Sequence, residues 1–105
     1  VNLKIFAIRD MKAECFIGLP WFNLTHAEAE RNFLELAKDE KSMVSKYPDD
    51  FDLYHLGEYD KTTGNIIPLQ TPNHMVKAAF IKSRNHAENR TAKINGVQEN
   101  DSTIN

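Results

Sequence analysis

The chain has 105 residues and a mass of 12.1 kDa, room for one domain and no second. With 41% hydrophobic and 27% charged residues it can fold around a core, and a formal charge of -2 excludes a histone-like neutraliser of phosphate, so any nucleic-acid contact must be local. No apolar run approaches the roughly 20 residues of a membrane-spanning helix, no basic and apolar leader opens the sequence, and the lone Cys15 has no intrachain partner; the expected setting is a reducing cytoplasm with no membrane contact.

Leu3 to Ile8 is apolar at both parities, Leu3, Ile5 and Ala7 against Phe6 and Ile8, which suits a strand covered on both sides. Arg9 to Lys12 breaks that run. Ala13 to Phe22 is apolar but interrupted by Gly18 and Pro20, as in a packed loop or short strand, and Pro20 argues against a central ladder position. Thr25-His-Ala-Glu28 has the form of a capping box, predicting a helix that carries Ala29, Phe33, Leu36 and Ala37 on one face and stops near Asp39 to Lys41, with room for one further turn after Ser42. Glu28 with Arg31 and Glu35 with Lys38 are spaced to pair on its exposed side.

Tyr47-Pro-Asp-Asp50 is turn chemistry leading into a strand from Phe51 to Tyr59. Plain alternation puts Phe51, Leu53, His55, Gly57 and Tyr59 on its core face, and Asp52, Tyr54, Leu56 and Glu58 on the other. Asp60 to Asn65 supplies Gly64 and Asn65 for a short loop, and Ile66 to Leu69 follows as the return strand, which sits at an edge or ends at Ile67 because Pro68 cannot donate to a ladder. Met75 to Lys82 fits either a last strand or a helical turn. From Ser83 onward the apolar residues are only Ala, Ile and Val, too little burial to offset ordering entropy. The expected fold is thus α+β, a small antiparallel sheet with a β-hairpin packed against one main helix, with a domain over residues 1–82 and a flexible basic and polar tail over 83–105.

The residues offer little catalytic chemistry. His26, His55, His74 and His86 lack metal-ligand spacing, Cys15 reads as a buried structural thiol, the glycines form no phosphate loop, and no cofactor or metal is expected. Asp49, Asp50, Asp52, Glu58 and Asp60 follow no calcium-loop pattern and read as a solvated acidic edge. Charge is polarised: Glu35 to Asp60 holds eight acids and three bases, net -5, whereas Lys77 to Val97 holds five bases and one acid, net +4. A tail carrying Lys77, Lys82, Arg84, Arg90 and Lys93 suits phosphates, with salt-sensitive affinity. Aromatic side chains suit base stacking; Phe6, Phe16, Phe33 and Phe51 are assigned to the core, and Trp21, Phe22, Tyr54 and Tyr59 to a surface platform.

The segments Lys4 to Asp10, Ala29 to Leu36 around Phe33, Tyr47-Pro-Asp-Asp-Phe51, and Leu56-Gly-Glu-Tyr-Asp60 followed by Thr63-Gly-Asn-Ile66 occur in an order that resembles the small non-structural protein of gokushovirus-type microviruses, tailless phages with single-stranded DNA genomes. The resemblance covers Leu3 to Lys82. It implies a non-enzymatic, DNA-binding or replication-associated protein of the host cytoplasm. On that expectation single-stranded DNA is the partner, with Lys77, Lys82, Arg84, Arg90 and Lys93 on phosphates and Trp21, Tyr54 and Tyr59 on bases. A viral or host replication or packaging protein is a further expected partner, and a second copy could add at an open sheet edge. The alternative is an interaction module that docks a protein through its acidic hairpin.

Overall fold

The computed structural model describes the backbone of residues 2–96 and the side chains of residues 2–87. Four strands and three helices follow the order β1 (Asn2–Asp10), β2 (Cys15–Asn23), α1 (His26–Lys38), α2 (Met43–Lys46), β3 (Phe51–Asp60), β4 (Ile66–Lys77) and α3 (Ala78–Gly96). The strands form one antiparallel sheet in the order β2-β1-β3-β4, so the doubly apolar β1 lies inside it, while the Pro-containing β2 and β4 take the edges. The fold is α+β, as the sequence implies.

Local chemistry explains the element ends. Asp10 closes the β1–β2 turn by accepting from the amides of Lys12 and Ala13. The Thr25 hydroxyl accepts from the Glu28 amide at 3.2 Å, and the Glu28 carboxylate accepts from the Leu24 amide at 2.9 Å, one residue beyond the usual reach of a capping box. That bond occupies the carboxylate expected to pair with Arg31; Glu35 and Lys38 do pair, at 3.5 Å. Ser42 then caps the short α2. In the β3–β4 loop Gly64 takes φ +82°, and Asp60 accepts from Thr62 and Thr63 amides, which hold its carboxyl below the ordinary range.

All three helices share one side of the sheet. Phe6 and Ile8 of β1, Ala29, Phe33 and Ala37 of α1, Phe51 and Leu53 of β3 and Val76 of β4 join Val44, Ala78 and Ile81 in a single core. Phe6, Phe33 and Leu53 are its largest fully buried side chains. A second long helix was not anticipated. The run Ala78-Ala-Phe-Ile81 continues as α3, anchored by Ala78 and Ile81 in the core and by the Ala79 amide donating to Pro48 O. Helix therefore extends across position 83, where composition alone suggests a tail, as far as Gly96; residues 97–105 lie outside the described residues.

Four irregularities reshape the sheet, one of them the extra residue Met75 of β4 between Leu53↔Val76 and Tyr54↔His74. Gly18, Leu19 and Pro20 form an excursion of β2 opposite Ala7, between the pairs Ile8↔Ile17 and Phe6↔Trp21. Leu69 to Pro72 form another in β4, between Gly57↔Pro68 and His55↔Asn73. In β3, Leu56 is the extra residue between Ile5↔Gly57 and Phe6↔His55, and this shift reverses the facing of everything beyond it. The single core face expected for Phe51 through Tyr59 is corrected accordingly. Phe51, Leu53 and His55 face the helices, whereas Gly57 and Tyr59 pair with Ile5 and Leu3 on the opposite face.

Candidate functional site

The side of the sheet away from the helices carries the molecule's most distinctive surface. Register places Leu3, Ile5, Ala7 and Arg9 of β1 there, beside Phe16 and Phe22 of β2, Tyr54 and Tyr59 of β3, and His74 and Lys77 of β4. Phe22 and Tyr59 meet edge to face with ring centroids 5.5 Å apart, and Phe16 and Tyr54 do the same at 5.5 Å. Strands β2 and β3 flank β1 and so lie roughly 9.5 Å apart. Rings separated by only 5.5 Å must therefore lean inward over β1. This explains why Ile5 and Ala7 are buried on a face that none of the described helices covers. Phe16 and Phe22 nevertheless remain 37% and 44% exposed.

The two ring pairs sit four residues apart along β1, roughly 13 Å at the strand rise. At the Phe16 end, the Arg9 guanidinium lies 5.4 Å from the Phe16 ring centroid and the His74 ring stands edge to face on Tyr54 at 5.3 Å. Asp52 is buried here. His74 Nε2 lies 2.8 Å from its Oδ2, and Lys77 Nζ donates to its Oδ1 at 3.0 Å and to the Asp49 carbonyl at 2.7 Å. The expected solvated acidic edge does not hold for Asp52, because the two bases of β4 make its burial tolerable. Nor do Asp52 and Glu58 share a face: Asp52 pairs with Arg9 on the open side, and Glu58 with Lys4 on the helix side, at 3.7 Å.

The expected site residues are thus divided. Tyr54 and Tyr59 stand on the open face together. Trp21 stands on the other, half-buried, with its ring 6.3 Å from Phe6 and Nε1 donating to Asn23 Oδ1 at 2.7 Å. There it borders an apolar groove of about 370 Å³ with Ile8, Phe33, Leu36 and Asn32. Phe16, assigned to the core from sequence, belongs to the open face instead. Arg9, Phe16 and His74 were missed as site residues, yet a signal existed for Phe16: it shares parity with Phe22, while Ile17 shares parity with Trp21.

The basic residues are largely engaged. Lys77 is paired with Asp52, Arg84 donates to Glu30 at 3.1 Å, and Lys82 donates to the Ser45 carbonyl at 3.4 Å. The side chains of Arg90 and Lys93 lie outside the described residues. Cys15 is exposed, not the buried thiol expected, because it begins an edge strand at the turn.

Behind the sheet, His26 Nε2 lies 3.4 Å from His55 Nδ1, and His55 Nε2 donates to Gly57 O at 3.0 Å. Burial pushes the His55 pKa below its ordinary value, partly opposed by that carbonyl. His55 is thus a satisfied core histidine. Among the described residues no three His, Cys, Asp or Glu side chains are placed to hold a metal, and no helix is long and apolar enough to cross a membrane.

Comparison with curated proteins and with solved structures gave no match. The family model described as Phage ORF5 protein matches residues 3–81, which include the core end of α3 and all of the sheet but Asn2. The chain belongs to the phage ORF5 protein family.

Proposed function

We propose that this phage protein is a non-enzymatic DNA-binding accessory of a single-stranded DNA phage, acting in the host cytoplasm in genome replication or packaging. We further propose that it holds single-stranded DNA on the open face of its sheet. The observation that carries this reading is the pair of aromatic clamps, Phe16–Tyr54 and Phe22–Tyr59, on a face without a second layer. Exposed rings on a sheet accept unpaired bases by stacking, with little regard to sequence, and each stacked base is worth about 1–3 kcal/mol. With Lys82 and Arg84 engaged by Ser45 and Glu30, the main grip is assigned not to a cationic arm but to this face, which Lys77 shares.

The test is fluorescence anisotropy of a labelled single-stranded oligonucleotide across a salt series, with the intact protein and with a Phe22→Ala, Tyr59→Ala variant whose fold is checked by circular dichroism. Binding that weakens with salt, and weakens by about tenfold or more in the variant, is the expected result. Absence of binding at low salt, or full binding by a folded variant, would overturn it.

A second reading, docking of a protein partner, is favoured by the β3–β4 hairpin. Its Ile66 and Ile67 are 64% and 49% exposed beside Glu58 and Asp60. Partners captured from infected cells that persist after nuclease treatment would support it, and partners lost with the nucleic acid would count against it.

A further inference from the structure

The polar end of the open face contains a geometry that base stacking does not require. Asp52 has only 7% of its side chain exposed, and its two oxygens are divided between two bases of β4, Oδ2 to His74 and Oδ1 to Lys77. Those bases remain 49% and 40% exposed, so their outer surfaces stay open to solvent. Arg9 is the register partner of Asp52 on the other neighbouring strand, yet no ion pair among the described residues holds it. Its guanidinium lies over Phe16 instead. Pairing thus brings basic residues to both sides of the strand that carries this sunken carboxylate, His74 and Lys77 in contact with it from β4 and Arg9 beside it on β1 with its guanidinium over Phe16. Arg9 retains a planar fork of donors matched to a phosphate, and the Lys77 and His74 heads are fixed close by instead of ranging freely.

We infer that Arg9, His74 and Lys77 form a seat for a phosphodiester group at the Phe16–Tyr54 end of the face, with Asp52 as the positioning residue that holds the two β4 bases in place. The inference rests on the DNA-binding reading above and deepens it. It gives the platform two unlike ends: phosphate is gripped beside Phe16 and Tyr54, while the Phe22–Tyr59 end offers rings alone. It also reverses the sense of an acidic residue in the site, because Asp52 acts by ordering the two β4 side chains and not by repelling the ligand.

The experiment titrates an oligothymidylate against salt with the full chain and with Arg9→Gln, Lys77→Gln, Arg9→Lys, Asp52→Asn and, as a control on the helix side, Lys38→Gln. Thermal melts establish that each variant is folded. Loss of one phosphate contact lowers the slope of log affinity against log salt by about 0.7 on single strands. Arg9→Gln and Lys77→Gln are each expected to show that drop, Arg9→Lys to retain the slope, and Lys38→Gln to match the parent. Asp52→Asn separates a positioning role from simple repulsion: removing an acid that merely repels DNA tightens binding, whereas disordering the seat weakens it. Parental slopes in both glutamine variants, or tighter binding by Asp52→Asn, would overturn the seat while leaving DNA binding by the aromatic face intact. Failure of the parent protein to bind the oligonucleotide would overturn the functional reading and the seat with it.

Discussion

The two faces of this sheet bury apolar surface in different ways. On the helix side, Phe6, Leu53 and Val76 meet Phe33, Ala37 and Ile81, and five elements share the cost of ordering a common core. On the other side β1 presents Ile5 and Ala7, which none of the described helices covers, and four rings from its neighbours lean across them. The first arrangement uses up its aromatic surface in holding the fold. The second covers its strand and still leaves Phe16 and Phe22 partly in solvent, so the same residues that complete the sheet remain available to a ligand.

That contrast is open to direct attack by truncation. Phe33→Ala on the helix side is expected to cost about 3–5 kcal/mol in urea unfolding, because it leaves a cavity among fully buried neighbours. Phe22→Ala on the open side is expected to cost no more than about 1.5 kcal/mol, the scale of one exposed aromatic pair. Equal losses in the two variants would show that the open face is as much a core as the covered one.

Next in size is Gly57→Ala. A Cβ there would meet the Ile67 carbonyl oxygen at 2.6 Å and Pro68 Cα at 2.9 Å, both backbone atoms, so β3 and β4 would have to part. A loss of about 1–3 kcal/mol is expected from such overpacking, with the β4 amides gaining hydrogen exchange before those of β1. Uniform exchange across the sheet would contradict a local effect.

The smallest effect is on pH. Burial holds the His55 pKa below its ordinary 6.5, so the unfolded chain binds the proton more readily than the folded one. The stabilisation is complete above about 6.5 and is lost as pH falls below that value toward the lowered folded pKa. The melting temperature should therefore decline on acidification through this window, and His55→Gln should decline less. An equal decline in the variant would remove His55 as the cause.

Much of this architecture is written in local sequence. The Thr25–Glu28 signal starts α1 at its observed place, Ser42 starts α2, and Gly64 takes the positive φ its loop requires. Pro20 and Pro68 mark the two edge strands. What sequence could not supply was register. The extra residue Leu56 has nothing to distinguish it from an ordinary strand residue, yet it exchanges the faces of Gly57 and Tyr59 relative to His55. Trp21 and Phe22 are adjacent aromatics, and only pairing with Phe6 and Ile5 assigns them to opposite sides. The helical state of Ala78 onward depends on its docking into the core, since four apolar residues in a row suit a strand equally well. The cation cluster around Asp52 was hidden for the same reason, because Arg9, Asp52, His74 and Lys77 are brought together only by β1–β3–β4 pairing.

The two excursions, Gly18 to Pro20 and Leu69 to Pro72, bear on how copies of this chain meet. Each interrupts an outermost ladder near its middle, and Pro20, Pro68 and Pro72 each withhold an amide along those margins. A neighbour attempting to prolong the sheet sideways would find neither a straight template nor a full row of donors. Both borders of the sheet are thus broken where an added strand would have to pair.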